Sequence, residues 1–93
     1  MDVLEKLNRP ASVELLVRTY IIENMLLGHD SGFENNTSLL DAGILDSTGA
    51  MELVAFLEKN FNISVQDEEI SPENLDSVER ICAFVTEKRL LAA

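Results

Sequence analysis

The sequence predicts a small all-α bundle of four helices, three longer and one short, with a long loop between the first two. Three observations predict it. Apolar residues recur at spacings of three and four in separate stretches, and no stretch reads as a strand. Cap residues, a proline and glycines fall at the edges of those stretches. The 93 residues are 46% apolar, without Trp and with few aromatics, so Leu, Val and Ile must fill one modest core. A chain of this size makes one domain, read here as 1–93 with a core over about 12–89, and buries roughly 60–65% of its unfolded surface.

The first helix is expected from Ser12 to Leu27. Ser12 suits the N-cap, with Pro10 just outside. Val13, Leu16, Val17, Tyr20, Ile21 and Met25 share one face. Gly28 ends the helix by adopting a left-handed conformation. Residues 28–46 then form a long connection rich in Gly, Asn, Asp and Ser. Its apolar residues Phe33, Leu39, Leu40, Ile44 and Leu45 suggest a loop pinned on the core. Ordered loops of this length are uncommon unless they are functional.

The second helix is expected from Ser47 to Asn60, with Ala50, Leu53, Val54, Leu57 and Phe61 facing inward and Asn60 and Asn62 as the stop. Ser71-Pro72-Glu73 opens a third helix of about one turn: Ser for the cap, Pro for the first position, Glu for the dipole. Asp76-Ser77-Val78-Glu79 reads as a capping box at the head of the fourth helix. Val78, Ile81, Cys82 and Val85 give its apolar face, and Lys88 and Arg89 suit its last turn.

Charge narrows the function classes. The formal net charge is −10, from 17 acids and 7 bases. Nucleic acid and anionic membrane surfaces need the opposite sign, whereas a basic protein partner is complementary. Between Asp41 and Glu79 ten acids face a single base, Lys59. Taken alone, such a stretch is as readily a solvated face as a docking face. The one cysteine, Cys82, forms no internal disulfide and suits a reducing compartment. The stretch Met1–Lys6 lacks the pattern of a secretion signal, and no apolar run nears the about 20 residues that span a membrane. A cytoplasmic protein is expected.

Residues 39–58 carry the chemistry: Leu-Leu-Asp-Ala-Gly-Ile-Leu-Asp-Ser-Thr-Gly-Ala-Met-Glu-Leu-Val-Ala-Phe-Leu-Glu. Ser47 stands where loop meets helix, so its hydroxyl can project from the bundle end. A helix N-terminus offers unpaired N–H groups and partial positive charge to a phosphate. The plain alternative is an ordinary N-cap serine. His29 reads as a surface loop residue, Cys82 as a small core residue. The acids 67–69 lack the spacing and glycine of a calcium loop, and no metal site is expected. A serine hydrolase is disfavoured, because no base is placed beside Ser47.

With Gly43, Asp46, Ser47 and Glu52 in place, the chain resembles the acyl carrier and peptidyl carrier protein superfamily over roughly residues 12–88. The resemblance implies a 4'-phosphopantetheine arm, moved from coenzyme A onto Ser47 by a phosphopantetheinyl transferase. It implies that Gly43, Asp46 and Thr48 serve the motif and its recognition, with Asp46 helping that enzyme orient the site and its magnesium ion. Cargo is carried as a thioester on the arm. The carrier itself is not an enzyme; it is a monomer that presents acyl or aminoacyl groups to a loading ligase and to downstream acyltransferases or synthases. Met51, Glu52, Ala55 and Glu58 form the expected docking strip. The competing expectation is an unmodified acidic helical module that binds partners through the same face.

Two departures stand out. Carriers of fatty acid synthesis usually have Leu after the serine; here Thr48 and Gly49 follow, both weaker helix formers. Asp-Ser-x-Gly also occurs in D-alanyl carriers and other stand-alone carriers. The Ser71–Asn74 segment lengthens the approach to the fourth helix. Both features suggest a specialised carrier for an amino acid, an unusual acid or a secondary metabolite, with a fatty acid role still open.

Overall fold

The computed structural model describes residues 10–92; the stretch on which the reading of no secretion signal rests lies outside the described residues. Four α-helices are present among them: α1 Pro10–Asn24, α2 Ser47–Phe61, α3 Pro72–Leu75 and α4 Val78–Ala92. A 3-10 turn, Asp67–Glu69, precedes α3, and the described residues contain no strand. The expected all-α bundle with its long first loop is the observed one.

The interior is aliphatic. Helix α1 buries Val13, Val17 and Ile21; α2 buries Leu53, Val54, Leu57 and Phe61; α4 buries Val78, Ile81, Phe84 and Val85. Each fully buried side chain contributes about 1.5–3 kcal/mol relative to exposure. Helices α1 and α2 run antiparallel: Tyr20 stacks on Phe56 at 4.2 Å between ring centroids, and Met25 reaches the backbone at Gly49. Phe56 lies outside the expected inward stripe, drawn in by this aromatic pair. Burial, and then the nearby Glu52 carboxylate, raise the Tyr20 hydroxyl above its ordinary pKa.

Both ends of α1 differ from expectation. The helix is already formed where the described residues begin, at Pro10, so Ser12 lies inside it rather than capping it. The helix stops at Asn24, three residues early. The Leu26 N–H reaches back to the Ile21 carbonyl and the Gly28 N–H to that of Ile22, at 3.1 and 2.8 Å, unwinding the last turn. Leu27 and Gly28 both take positive φ, 53° and 86°. At the far end of α2, Phe61 extends the helix one residue past Asn60, and left-handed Asn62 closes it.

The long loop is ordered by specific bonds. Phe33, Leu39 and Leu45 are buried and Ile44 packs against them, as expected, but Leu40 is 43% exposed. Leu39 takes the interior position and is fully buried. The Arg18 guanidinium donates to the Phe33 carbonyl and to Asn35 Oδ1, both at 2.9 Å. It also lies 4.1 Å over the Phe33 ring. The Asn35 amide donates to Glu14, and the Asn35 carbonyl accepts from Glu79 N–H at 2.9 Å.

The head of α4 is capped differently from the expected Asp76/Glu79 box. The Ser77 hydroxyl accepts from Arg80 N–H at 3.1 Å, and its carbonyl accepts the Ile81 N–H. The cap has moved one residue along because the Asp76 carboxylate is committed to the loop, accepting from Leu40 N–H at 2.9 Å. Ser71, the expected cap of α3, makes no side-chain cap bond, though Pro72 holds the first position as anticipated.

The acidic turn is tied to α4 by Lys88 Nζ, 2.9 Å from Glu69 Oε1. That oxygen also accepts from Gln66 N–H at 2.9 Å. The Gln66 bond first, and Lys88 second, lower the Glu69 carboxyl below its ordinary pKa. Cys82 is half-buried on α4, where burial first and the Glu14 charge second push its thiol up to about 11.

Candidate functional site

Helix α2 begins at Ser47, and Asp46 is its N-cap. Asp46 has extended backbone, φ −125° and ψ −175°. Its Oδ1 accepts from Gly49 N–H at 2.7 Å, while its carbonyl accepts the first helical bond from Ala50 N–H at 2.8 Å. Ser47 therefore does not cap the helix, and the plain reading of it as an N-cap serine is overturned. It occupies the first helical position with its side chain exposed. The N–H groups of Ser47 and Thr48 precede the first helical bond and have no acceptor within the helix. An exposed hydroxyl is thus set beside free amide donors and the positive end of the helix dipole.

Gly49, a departure in the motif, has a local reason. A Cβ there would stand 3.2 Å from Asp46 Oδ1 and 3.5 Å from Leu45 Cδ1. Without it the cap carboxylate closes down on the backbone. Gly43 has φ +73° with open space around it, so its requirement is conformational: the turn into the motif needs a left-handed residue.

The other predicted site residues divide. Asp46, Ser47, Thr48, Met51, Glu52 and Ala55 are all exposed on or beside α2. Met51 is 56% exposed, one of six large apolar side chains left in water among the described residues. Glu58 is different: it is half-buried, and its carboxylate accepts from Val65 N–H at 2.9 Å. It holds the connection after α2 in place, which the sequence pattern did not reveal.

An open, largely apolar cleft of about 330 Å³ adjoins Ser47. One wall is Leu45, Ala50 and Met51 from the motif; the other is Ile70, Pro72 and Leu75 around α3. The sequence signalled α3 through Ser71-Pro72-Glu73 but not that it would face Ser47 across a cleft. Among the described residues, no group of His, Cys, Asp and Glu is arranged to hold a metal ion.

A sequence profile for the phosphopantetheine attachment site matches residues 17–85, most of the chain. The protein belongs to the phosphopantetheine-dependent carrier family. The carrier is 37% identical over 67 residues to a D-alanyl carrier protein of Streptococcus suis (strain 05ZYH33), covering 72% of this chain and 84% of that one. It is 32% identical over 66 residues to the probable acyl carrier protein PigG of Serratia sp. (strain ATCC 39006), covering 71% and 76%. A D-alanyl carrier protein of Streptococcus sanguinis (strain SK36) is 36% identical over 69 residues, covering 74% and 86%. The cofactor of the family is 4'-phosphopantetheine, and this carrier fits it: an exposed hydroxyl, a phosphate-accepting helix end and an open cleft meet at Ser47. Carriers of this kind are served by phosphopantetheinyl transferases and by ligases or synthases, and do not themselves catalyse a reaction. No described helix is long and apolar enough to cross a membrane.

Proposed function

We propose that the chain acts as a single carrier domain whose Ser47 bears the 4'-phosphopantetheine arm. The observation that carries this reading is the division of labour at the head of α2. Asp46 supplies the cap, which leaves the Ser47 hydroxyl in solvent with no structural duty. When bound, the arm supplies a terminal thiol that holds cargo as a thioester. In the transfer from coenzyme A, Ser47 Oγ forms the new bond to the phosphorus that carries the arm, the pyrophosphate bond of coenzyme A breaks so that adenosine 3',5'-bisphosphate leaves, and the hydroxyl proton passes to a base of the transferase. The N–H groups of Ser47 and Thr48 favour the phosphodiester anion. The free Asp46 oxygen faces the modifying enzyme and its magnesium ion. The apolar cleft gives the arm and its cargo a surface to lie against.

We further propose an amino acid or small carboxylic acid as cargo, loaded by an adenylating ligase. Asp46-Ser47-Thr48-Gly49 and the likeness to chains named D-alanyl carrier protein support this choice over a long fatty chain. Partner enzymes dock on Met51, Glu52 and Ala55, with Glu58 contributing less because Val65 N–H already engages it. A monomer in the cytoplasm suits this role.

The test is intact mass spectrometry. Incubated with coenzyme A, magnesium and a broad-specificity transferase, wild type gains one arm and Ser47→Ala gains none. Loading the product with a family ligase, ATP and a panel of amino and fatty acids then identifies the cargo class. A wild-type chain left unmodified by several transferases would overturn the proposal and favour an unmodified interaction module.

A further inference from the structure

We infer that Asp76, between α3 and α4, is a positioning residue that sets where the chain presents Ser47. The inference rests on the reading of Ser47 as the arm-bearing residue. Three consecutive loop residues converge on Asp76. Ser38 Oγ donates to its Oδ2 at 2.7 Å, Leu40 N–H donates to its Oδ1 at 2.9 Å, and Leu39 N–H donates to its carbonyl at 2.7 Å. The hold is passed on within the loop. The Leu39 carbonyl accepts from both Ile44 N–H and Leu45 N–H, at 2.9 and 3.1 Å. Leu45 is buried and is bonded covalently to Asp46, the cap of α2. Two hydrogen-bonded steps and one peptide unit therefore separate the Asp76 main-chain carbonyl from the cap that orients Ser47, and the carboxylate braces the same turn on either side of Leu39, at Ser38 and Leu40.

Asp76 is also fixed to the opposite side of the cleft. Its own N–H donates to the Pro72 carbonyl at 3.0 Å, closing α3. Leu40, Ser47, Pro72 and Asp76 all line the cleft. One residue thus ties the wall made by α3 to the turn that delivers the serine. A carboxylate used only to begin α4 would bond the helix's own N–H groups; here Ser77 does that. Releasing the Asp76 side chain removes the Ser38 and Leu40 bonds and leaves Leu39 N–H on the Asp76 carbonyl as the remaining direct tie, so the Ser38–Leu45 turn is loosened against α3 and Ser47 shifts with it. Chemistry at a docked hydroxyl is sensitive to displacements of about 1 Å.

The test compares Asp76→Ala, Asp76→Asn and Ser38→Ala as transferase substrates, well below the melting temperature of every variant. A residue that only stabilises the fold lowers the melting temperature without slowing modification of folded molecules. A positioning residue slows it. Asp76→Ala should lose roughly ten- to a hundredfold in kcat/KM, the cost of a small misplacement at a reacting group. Asp76→Asn should recover most of that, because an amide oxygen accepts from Leu40 N–H while its NH2 donates to Ser38 Oγ. Ser38→Ala should fall between them, and it carries the comparison if Asp76→Ala does not fold. Amide hydrogen exchange at Ile44 and Leu45 should quicken in step, with α1 unchanged. Wild-type rates and unchanged loop exchange in the slowest expected variant would overturn the inference. If wild type itself takes no arm, the Ser47 reading fails, and the exchange data still decide whether Asp76 holds the loop.

Discussion

Two neighbouring substitutions, Asp46→Ala and Ser47→Ala, separate folding from chemistry at the head of α2. Asp46 Oδ1 accepts from Gly49 N–H at 2.7 Å, the geometry of a working N-cap. Losing such a cap costs about 1 kcal/mol, within a range of about 0.5–2. For a domain of this size each kcal/mol moves the midpoint by about 4–8 °C, so Asp46→Ala should melt about 4–8 °C lower. Ser47 is exposed at the first helical position and caps nothing. Alanine there has the higher helix propensity, so Ser47→Ala should stay within about 0.5 kcal/mol of wild type. Asp46→Asn should regain most of the lost stability, since Asn caps as well as Asp. It should still slow arm attachment, because the charge facing the transferase is gone. The assay is thermal unfolding of the unmodified protein by circular dichroism at neutral pH, paired with modification rates. If Ser47→Ala melts as low as Asp46→Ala, the assignment of the cap is wrong and the argument for a serine free of structural duty goes with it.

Other perturbations reach different parts of the molecule. Leu27→Gly should raise stability by about 1 kcal/mol, because the left-handed backbone costs a β-carbon-bearing residue about that much and Leu27, at φ 53°, is 83% exposed; a lower melting midpoint would show that this leucine packs against something in solution. Glu69 should titrate below the ordinary carboxylate range by carbon NMR and rise only part of the way in Lys88→Met, since Gln66 N–H is the larger cause. Its contribution to stability is present above the unfolded pKa and lost as pH falls through the lower folded value; full return to the ordinary range in Lys88→Met would reverse the order of causes. At the alkaline end, the folded Cys82 thiol holds its proton up to about 11 against an ordinary 9.0, so stability should decline as pH rises through that window, and Cys82→Ala should flatten the decline. Affinity for a basic partner enzyme should weaken as salt rises, and Glu52→Gln should reduce that salt dependence more than Glu58→Gln; equal effects would put both carboxylates in the docking contact.

Periodicity made the helices legible, and it did so because a helical core leaves a regular trace: Val13, Val17 and Ile21, or Leu53 and Leu57, are buried at the spacings that announce them. The helix ends were less legible. Ser12 and Asp76 are both good caps by type, yet Ser12 sits inside α1 and Asp76 is claimed by the loop. Propensity weighs a residue against its neighbours in sequence, whereas the partner of Asp76 lies 36 residues away at Leu40. Phe56 was missed for the same reason: its partner Tyr20 is on another helix. At the site, the Asp-Ser pair showed where to look, but which of the two caps the helix was settled by one bond to Gly49. The far wall of the cleft, built by Ile70 to Leu75, depends on how α3 folds back and has no local signature.

The half-buried sulfur on α4 bears on how faithfully cargo is kept. Thioesters pass readily to any other thiolate within reach, and a scaffold with a nucleophilic sulfur of its own would draw acyl groups off the arm onto the wrong atom. Burial pushes the Cys82 thiol up to about 11, which lowers still further the small thiolate fraction that an ordinary cysteine has at neutral pH, and the protonated thiol is a poor acceptor. The polypeptide can therefore hold an activated acyl group without competing for it, and exchange is left to the thiols of enzymes that bind it.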